Sequence, residues 1–154
     1  MLSERAKAEI EKVRGKYPDP KSAVMPALAI AQREKGWLSL ETLAEIAKLL
    51  DMPPAEVEGI ATFYTMYRLK PMGKYLIQIC TNISCSLLGA EHLAHYLERK
   101  LGVAEGEVTR DGKFSWMQVQ CLGSCGTAPV MQINDDYYEN LTEARIDQIL
   151  KELP

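Results

Sequence analysis

The chain has 154 residues, 47% of them hydrophobic and 25% charged, with a formal net charge of −3. That composition excludes a disordered chain, and the weak acidity argues against non-specific nucleic-acid binding, which rests on neutralising phosphates. The longest apolar run, AVMPALAIA, falls far short of the roughly 20 residues that span a bilayer, and the opening MLSERAKAEIEK has no apolar h-region, so no secretory signal is expected.

Up to about residue 67 the pattern is helical. Leu2, Ala6, Ile10 and Val13 recur at helical intervals, and Gly15 ends that helix. A second helix is expected from Ser22 to Lys35, with Pro26 in its first turn and Gly36 as its stop. Ser39 should cap a third, with Leu40, Leu43, Ile46, Ala47 and Leu50 on one face. Pro54 or Ala55 opens a fourth, running towards Tyr64.

After the turn LKPMGK the character changes. KYLIQIC reads as a strand, Leu88 to Leu101 as a helix stopped by Gly102, and FSWMQVQC as a second strand. PVMQI and DYYEN read as short strands around a tight turn at Asn134–Asp135, and Thr142 should cap a last helix to about Leu150. The order β-α-β-β-β-α implies a parallel pair joined through the helix and an antiparallel hairpin. The expected fold class is α+β: an N-terminal helical bundle over residues 1–70, then a thioredoxin-type domain over 71–154 with a four-stranded mixed sheet.

All four cysteines lie in two loops, Cys80 and Cys85 in the first and Cys121 and Cys125 in the second. Each pair starts where an expected strand stops, so all four thiols should gather at the carboxyl edge of the sheet, where α/β folds commonly keep ligands. Neither C-x4-C nor C-x3-C is the C-x-x-C of a thioredoxin-like dithiol or of the commonest zinc knuckle. A 2Fe–2S cluster is wider than one ion and suits longer loops. Spacing alone leaves the cluster, a zinc clamp and unliganded or redox thiols all open. A reducing cytoplasmic compartment, which the sequence favours, disfavours a disulfide framework.

Loop composition bears on the choice. Gly123, Ser124, Gly126 and Thr127 can bring backbone N–H groups close to sulfur, and Asn82, Ser84 and Ser86 are expected to do similar work in the first loop. No charged residue lies between Lys74 and Glu91, or between Lys113 and Asp135. An anionic cluster gains a further negative charge on reduction, so without adjacent Lys or Arg its potential should be low.

The helical half offers other readings. LAEIAKLLDMPPAEVEGI has the outline of a helix-turn-helix, yet its second helix carries Glu56 and Glu58 and no basic residue before Arg68, the wrong sign for a phosphate backbone. Phe63, Tyr64, Met66 and Tyr67 crowd into ATFYTMYRL and read as core packing between the two halves, with part of the stretch available to a partner. His92 and His95 share an expected helix without a third ligand and read as ordinary helix residues. No phosphate-binding glycine motif and no nucleophile–base pairing is present, so the chain reads as an electron carrier and not a self-sufficient enzyme.

PPAEVEGIATFYTMYRLKPMGKYLIQICTNISC and VQCLGSCGTAPVMQIND together resemble the thioredoxin-like 2Fe–2S subunits of the NADH-dehydrogenase module of respiratory complex I, NADH-quinone oxidoreductase. The resemblance covers nearly the whole sequence. It implies that Cys80, Cys85, Cys121 and Cys125 ligate one low-potential 2Fe–2S cluster. It also implies a flavoprotein partner that carries FMN, the NADH site and a 4Fe–4S cluster, within a larger complex peripheral to the inner membrane on its cytoplasmic side. On that footing the protein acts as a subunit of the oxidoreductase and is not catalytic alone, with no nucleic-acid partner and no direct membrane insertion. Subunits of NAD-linked hydrogenases and formate dehydrogenases share the motifs and form the alternative. A zinc-stapled DNA-binding regulator is the alternative of another class.

Overall fold

A computed structural model describes all residues, 1–154. The chain divides into two compact units, Met1–Pro71 and Met72–Pro154. The first is all helical: α1 (Glu4–Arg14), α2 (Val24–Lys35), α3 (Leu40–Leu50) and α4 (Pro54–Phe63). Ser3 caps α1 by accepting from the Ala6 N–H, and Ser39 caps α3 by accepting from the Thr42 N–H. A 3₁₀ turn, Pro20–Ala23, capped by the Asp19 carboxylate, feeds α2, so that helix begins two residues later than the sequence implies and holds Pro26 in its first turn. Gly36 then ends α2 with φ +80, a backbone state that suits glycine.

The apolar stripes of these helices meet in one core that includes Ile10, Leu28, Ile46, Leu50 and Val57. Each such aliphatic side chain taken from water contributes about 1.5–3 kcal/mol, which is what holds four short helices together. Leu40 departs from the expected face. It is 69% exposed, because at the first position of α3 it lines an open cleft with Trp37, Glu58, Thr62 and Leu69. The aromatic stretch also needs correcting: only Tyr67 is core, its hydroxyl donating to the Met25 carbonyl at 3.0 Å. Phe63 is 76% exposed and Met66 55%.

The second unit holds β1 (Tyr75–Cys80), α5 (Ile83–Leu87), α6 (Ala90–Leu101), β2 (Phe114–Val119), β3 (Met131–Ile133), β4 (Asp136–Tyr138) and α7 (Glu143–Glu152). The sheet order is β2-β1-β3-β4. β1 and β2 are parallel, with Tyr75 opposite Phe114 and Cys80 opposite Val119; β3 runs antiparallel to β1 and to β4. The mixed four-stranded sheet is thus present, and between β2 and β3 only a 3₁₀ turn, Cys125–Thr127, stands in the connection. Leu93 and Leu97 of α6 and Ile146 and Ile149 of α7 share a core with Ile77, Ile79, Trp116 and Met131 of the strands. Tyr96 of α6 donates to Asp147 of α7 at 2.7 Å, and Lys100 pairs with the same carboxylate at 2.9 Å.

Asn134 makes the hairpin turn in the left-handed region, φ +53. Its amide also bridges back to the start of β1, accepting from the Leu76 N–H and donating to the Lys74 carbonyl. One side chain therefore fixes both the turn and its register. No helix is long and apolar enough to cross a membrane.

Candidate metal centre

β1 delivers Cys80 as its last residue, and the parallel pairing of Cys80 with Val119 brings the end of β2 level with it. The two cysteine loops therefore leave the sheet from neighbouring strands at the same edge. Two backbone bonds secure this edge: the Cys80 N–H to the Val130 carbonyl at 3.1 Å, and the Thr81 N–H to the Val119 carbonyl at 3.1 Å. β2 ends two residues before Cys121, short of the sequence expectation, because its ladder with β1 is complete at Val119.

The first loop holds a helix that the sequence does not announce. Asn82 caps α5 by accepting from the Ile83 N–H at 2.7 Å, and one turn later Cys85 points inward. Five residues are too few to show helical periodicity. Gly89, at φ +91, then separates α5 from α6, which begins at Ala90 and not at Leu88.

Cys80 and Cys85 are buried, while Cys121 and Cys125 are exposed, and all four are free thiols. Burial pushes the Cys85 thiol up, with Cys80 and Cys125 adding to the shift and a backbone bond at Val130 opposing it. The Cys121 sulfur accepts from the Gly123 N–H at 3.3 Å. Gly123 reaches that position with φ +74, where a side chain would be strained.

The polar side chains of both loops bond to the surrounding protein. Asn82 serves as a helix cap, and Ser86 donates to Glu91 at 3.0 Å. Ser124 and Thr127 both donate to Glu139, and Thr127 sits 2.7 Å from the Ser124 hydroxyl. Tyr137 donates to the Leu122 carbonyl at 2.9 Å, and the Asn140 N–H to the Thr127 carbonyl at 2.8 Å. β4 and the residues after it therefore pin the second loop. The only sequence signal for this is a pair of hydroxyls spaced three apart.

No three His, Cys, Asp or Glu side chains converge as a single ion would require. A binuclear cluster takes two ligands on each iron and spreads over a wider span. Four thiols in uncharged loops at one sheet edge, with a backbone N–H already directed at sulfur, form a donor set that fits it. His92 is engaged elsewhere, 2.8 Å from Glu143, and His95 lines a separate cavity of about 370 Å³ with Glu98, Glu105 and Trp116.

A family model for the thioredoxin-like 2Fe–2S ferredoxin matches residues 10–154. The chain belongs to that family, and one 2Fe–2S cluster is its cofactor. An NADH-quinone oxidoreductase subunit of Rhizobium meliloti is 48% identical over 143 residues, covering 93% of this chain and 85% of the relative. NADH-quinone oxidoreductase subunit 2 of Thermus thermophilus is 48% identical over 144 residues, covering 92% and 80%. Among solved structures, the H2-reduced NAD+-reducing NiFe hydrogenase superposes with a TM-score of 0.71 at 25% identity. That match covers 82% of this chain and 22% of the hydrogenase chain. The zinc-stapled regulator falls with the family assignment.

Proposed function

We propose that the protein is an electron-transfer subunit of an NADH-quinone oxidoreductase. Its 2Fe–2S cluster would be held by Cys80, Cys85, Cys121 and Cys125 in the unit Met72–Pro154. The observation that carries the reading is the parallel register of β1 and β2, which sets both cysteine loops at one sheet edge in a chain 48% identical to such subunits. The bound cluster supplies one-electron storage at low potential.

The protein's own residues do the rest. Cys80 and Cys85 come from the buried end of β1 and the inner face of α5, so two of the four sulfurs are shielded from water. Cys121 and Cys125 stand at the surface, giving electrons a short route to a docked partner. Uncharged flanks withhold the Lys or Arg that would favour reduction. The electron partner in this reading is the FMN of a flavoprotein subunit that oxidises NADH and carries a 4Fe–4S cluster. The assembly would be peripheral to the inner membrane on its cytoplasmic side. The likeness in fold to part of an NAD+-reducing hydrogenase chain supports the equivalent subunit of such an enzyme as the second reading.

The test is stepwise reduction followed by EPR. The isolated protein should oxidise no NADH, and NADH should generate the reduced-cluster signal only when the flavoprotein is added. Robust NADH turnover by this chain alone would overturn the carrier reading.

A further inference from the structure

The second cysteine loop contains two hydroxyl side chains, Ser124 and Thr127, on either side of Cys125. A hydroxyl beside a thiolate-ligated centre can donate to sulfur, and each such bond favours the reduced, more negative state. Here both hydroxyls turn to one carboxylate oxygen. Thr127 Oγ1 donates to Glu139 Oε1 at 2.6 Å, and Ser124 Oγ donates to the same atom. The two hydroxyl oxygens are 2.7 Å apart. An ionised carboxylate is acceptor-only, so it draws both protons to itself. Glu139 follows β4, and the Asn140 N–H next to it holds the Thr127 carbonyl at 2.8 Å. No salt bridge engages Glu139; its bonding partners are these hydroxyls.

We propose that Glu139 is a positioning residue for the redox centre, keeping its potential low by holding the Ser124 and Thr127 hydroxyl protons away from the sulfurs of Cys121 and Cys125. This rests on the ligand assignment proposed above. Its carboxylate also adds a negative charge beside the loop. Glu139 is exposed, so that Coulombic part is screened by salt, whereas the capture of the two protons is not.

Replacing the carboxylate by an amide keeps one acceptor oxygen but removes the charge, so the weaker acceptor competes less well with thiolate sulfur for the two hydroxyl protons. The experiment uses the full chain, purified anaerobically with its iron and sulfide, as wild type, Glu139→Gln, Glu139→Asp and Ser124→Ala/Thr127→Ala. Iron and sulfide content and the midpoint potential, by EPR-monitored titration at low and high salt, are the readouts. Glu139→Gln should keep its iron and shift the reduction equilibrium about tenfold towards the reduced form, ~59 mV for one electron, with most of the shift surviving high salt. Glu139→Asp should restore the wild-type direction. The double variant has no hydroxyl protons to withhold and should stay within about twofold of wild type.

A Glu139→Gln midpoint equal to wild type, or a clear fall in the double variant, would overturn the proposal. The latter would mean that the hydroxyls already donate to sulfur. If Glu139→Gln loses its cluster, the double variant and Glu139→Asp decide alone. Iron and sulfide missing from the wild type itself would instead remove the cluster reading on which the proposal stands.

Discussion

Gly73 sits immediately before β1, packed against the first residues of β2. A Cβ there would lie 2.5 Å from the Phe114 carbonyl carbon, 2.8 Å from its oxygen and 2.8 Å from the Ser115 nitrogen. All three are main-chain atoms of a paired strand and cannot rotate aside. The Gly73 N–H also donates to the Ser115 hydroxyl at 2.8 Å, and Ser115 is fully buried. Moving the turn away to admit a methyl group would break that bond and strain the neighbouring bonds from Lys74 to Gly112 and from Tyr75 to Lys113. Overpacking costs about 1–3 kcal/mol and the stranded buried hydroxyl about 1–3 more. Against this, a stiffer unfolded chain returns at most about 1 kcal/mol. The net expectation for Gly73→Ala is a loss of about 1–6 kcal/mol, centred near 3, while Ser115→Ala, which leaves the buried Gly73 N–H without its partner, should lose about 1–3. Trp116, buried with its indole N–H on the Val103 carbonyl, reports this unit by fluorescence in a Trp37→Phe background. In anaerobic urea titrations the Gly73→Ala midpoint should fall by about 1 M or more. A midpoint within about 0.2 M of the parent would refute the close-approach argument.

Two further outcomes follow from named contacts. Changing any one of Cys80, Cys85, Cys121 or Cys125 to Ala should abolish or destabilise the cluster, and full iron and sulfide retention in a variant would remove that residue from the ligand set. Glu34 accepts from the Ser3 hydroxyl and N–H and pairs with Lys35, which together hold its carboxyl at about 2, below the usual 4.5. A depressed folded value means that the tie between α1 and α2 is present above pH 4.5 and is lost as pH falls towards about 2. Wild-type helicity should therefore decline across that window by circular dichroism, Glu34→Gln should show a flatter acid limb, and identical limbs would contradict the assignment.

Most of the architecture is legible in local patterns. Ser39 and Thr142 cap where the sequence places them, the Asn134–Asp135 hairpin forms, and the parallel pair is joined through a helix as expected. What escapes the sequence depends on contacts distant along the chain. The insertion of β1 between β2 and β3 is set by which faces bury best, and periodicity carries no trace of it. α5 is too short to show a pattern, although it turns Cys85 inward. Leu40 satisfies helical spacing yet lies at a helix end beyond the packed stripe, so the spacing overstates the core, and Phe63, read as core from its crowded neighbours, ends α4 exposed. In the metal centre, four cysteines and two uncharged loops stand out at once. The Tyr137–Leu122 and Glu139–Ser124–Thr127 contacts cross from β4 and its following residues to the loop, and only the fold brings them together.

Whether the two cysteine loops hold a binuclear iron centre decides every functional conclusion above. Iron, acid-labile sulfide and zinc should be measured on anaerobically purified protein, with EPR before and after dithionite. The expected result is iron and sulfide in equal amounts, about two of each per chain, silent when oxidised and giving a spin-half signal when reduced. One zinc per chain, no sulfide and no signal would contradict it, leaving the loops as a structural clamp.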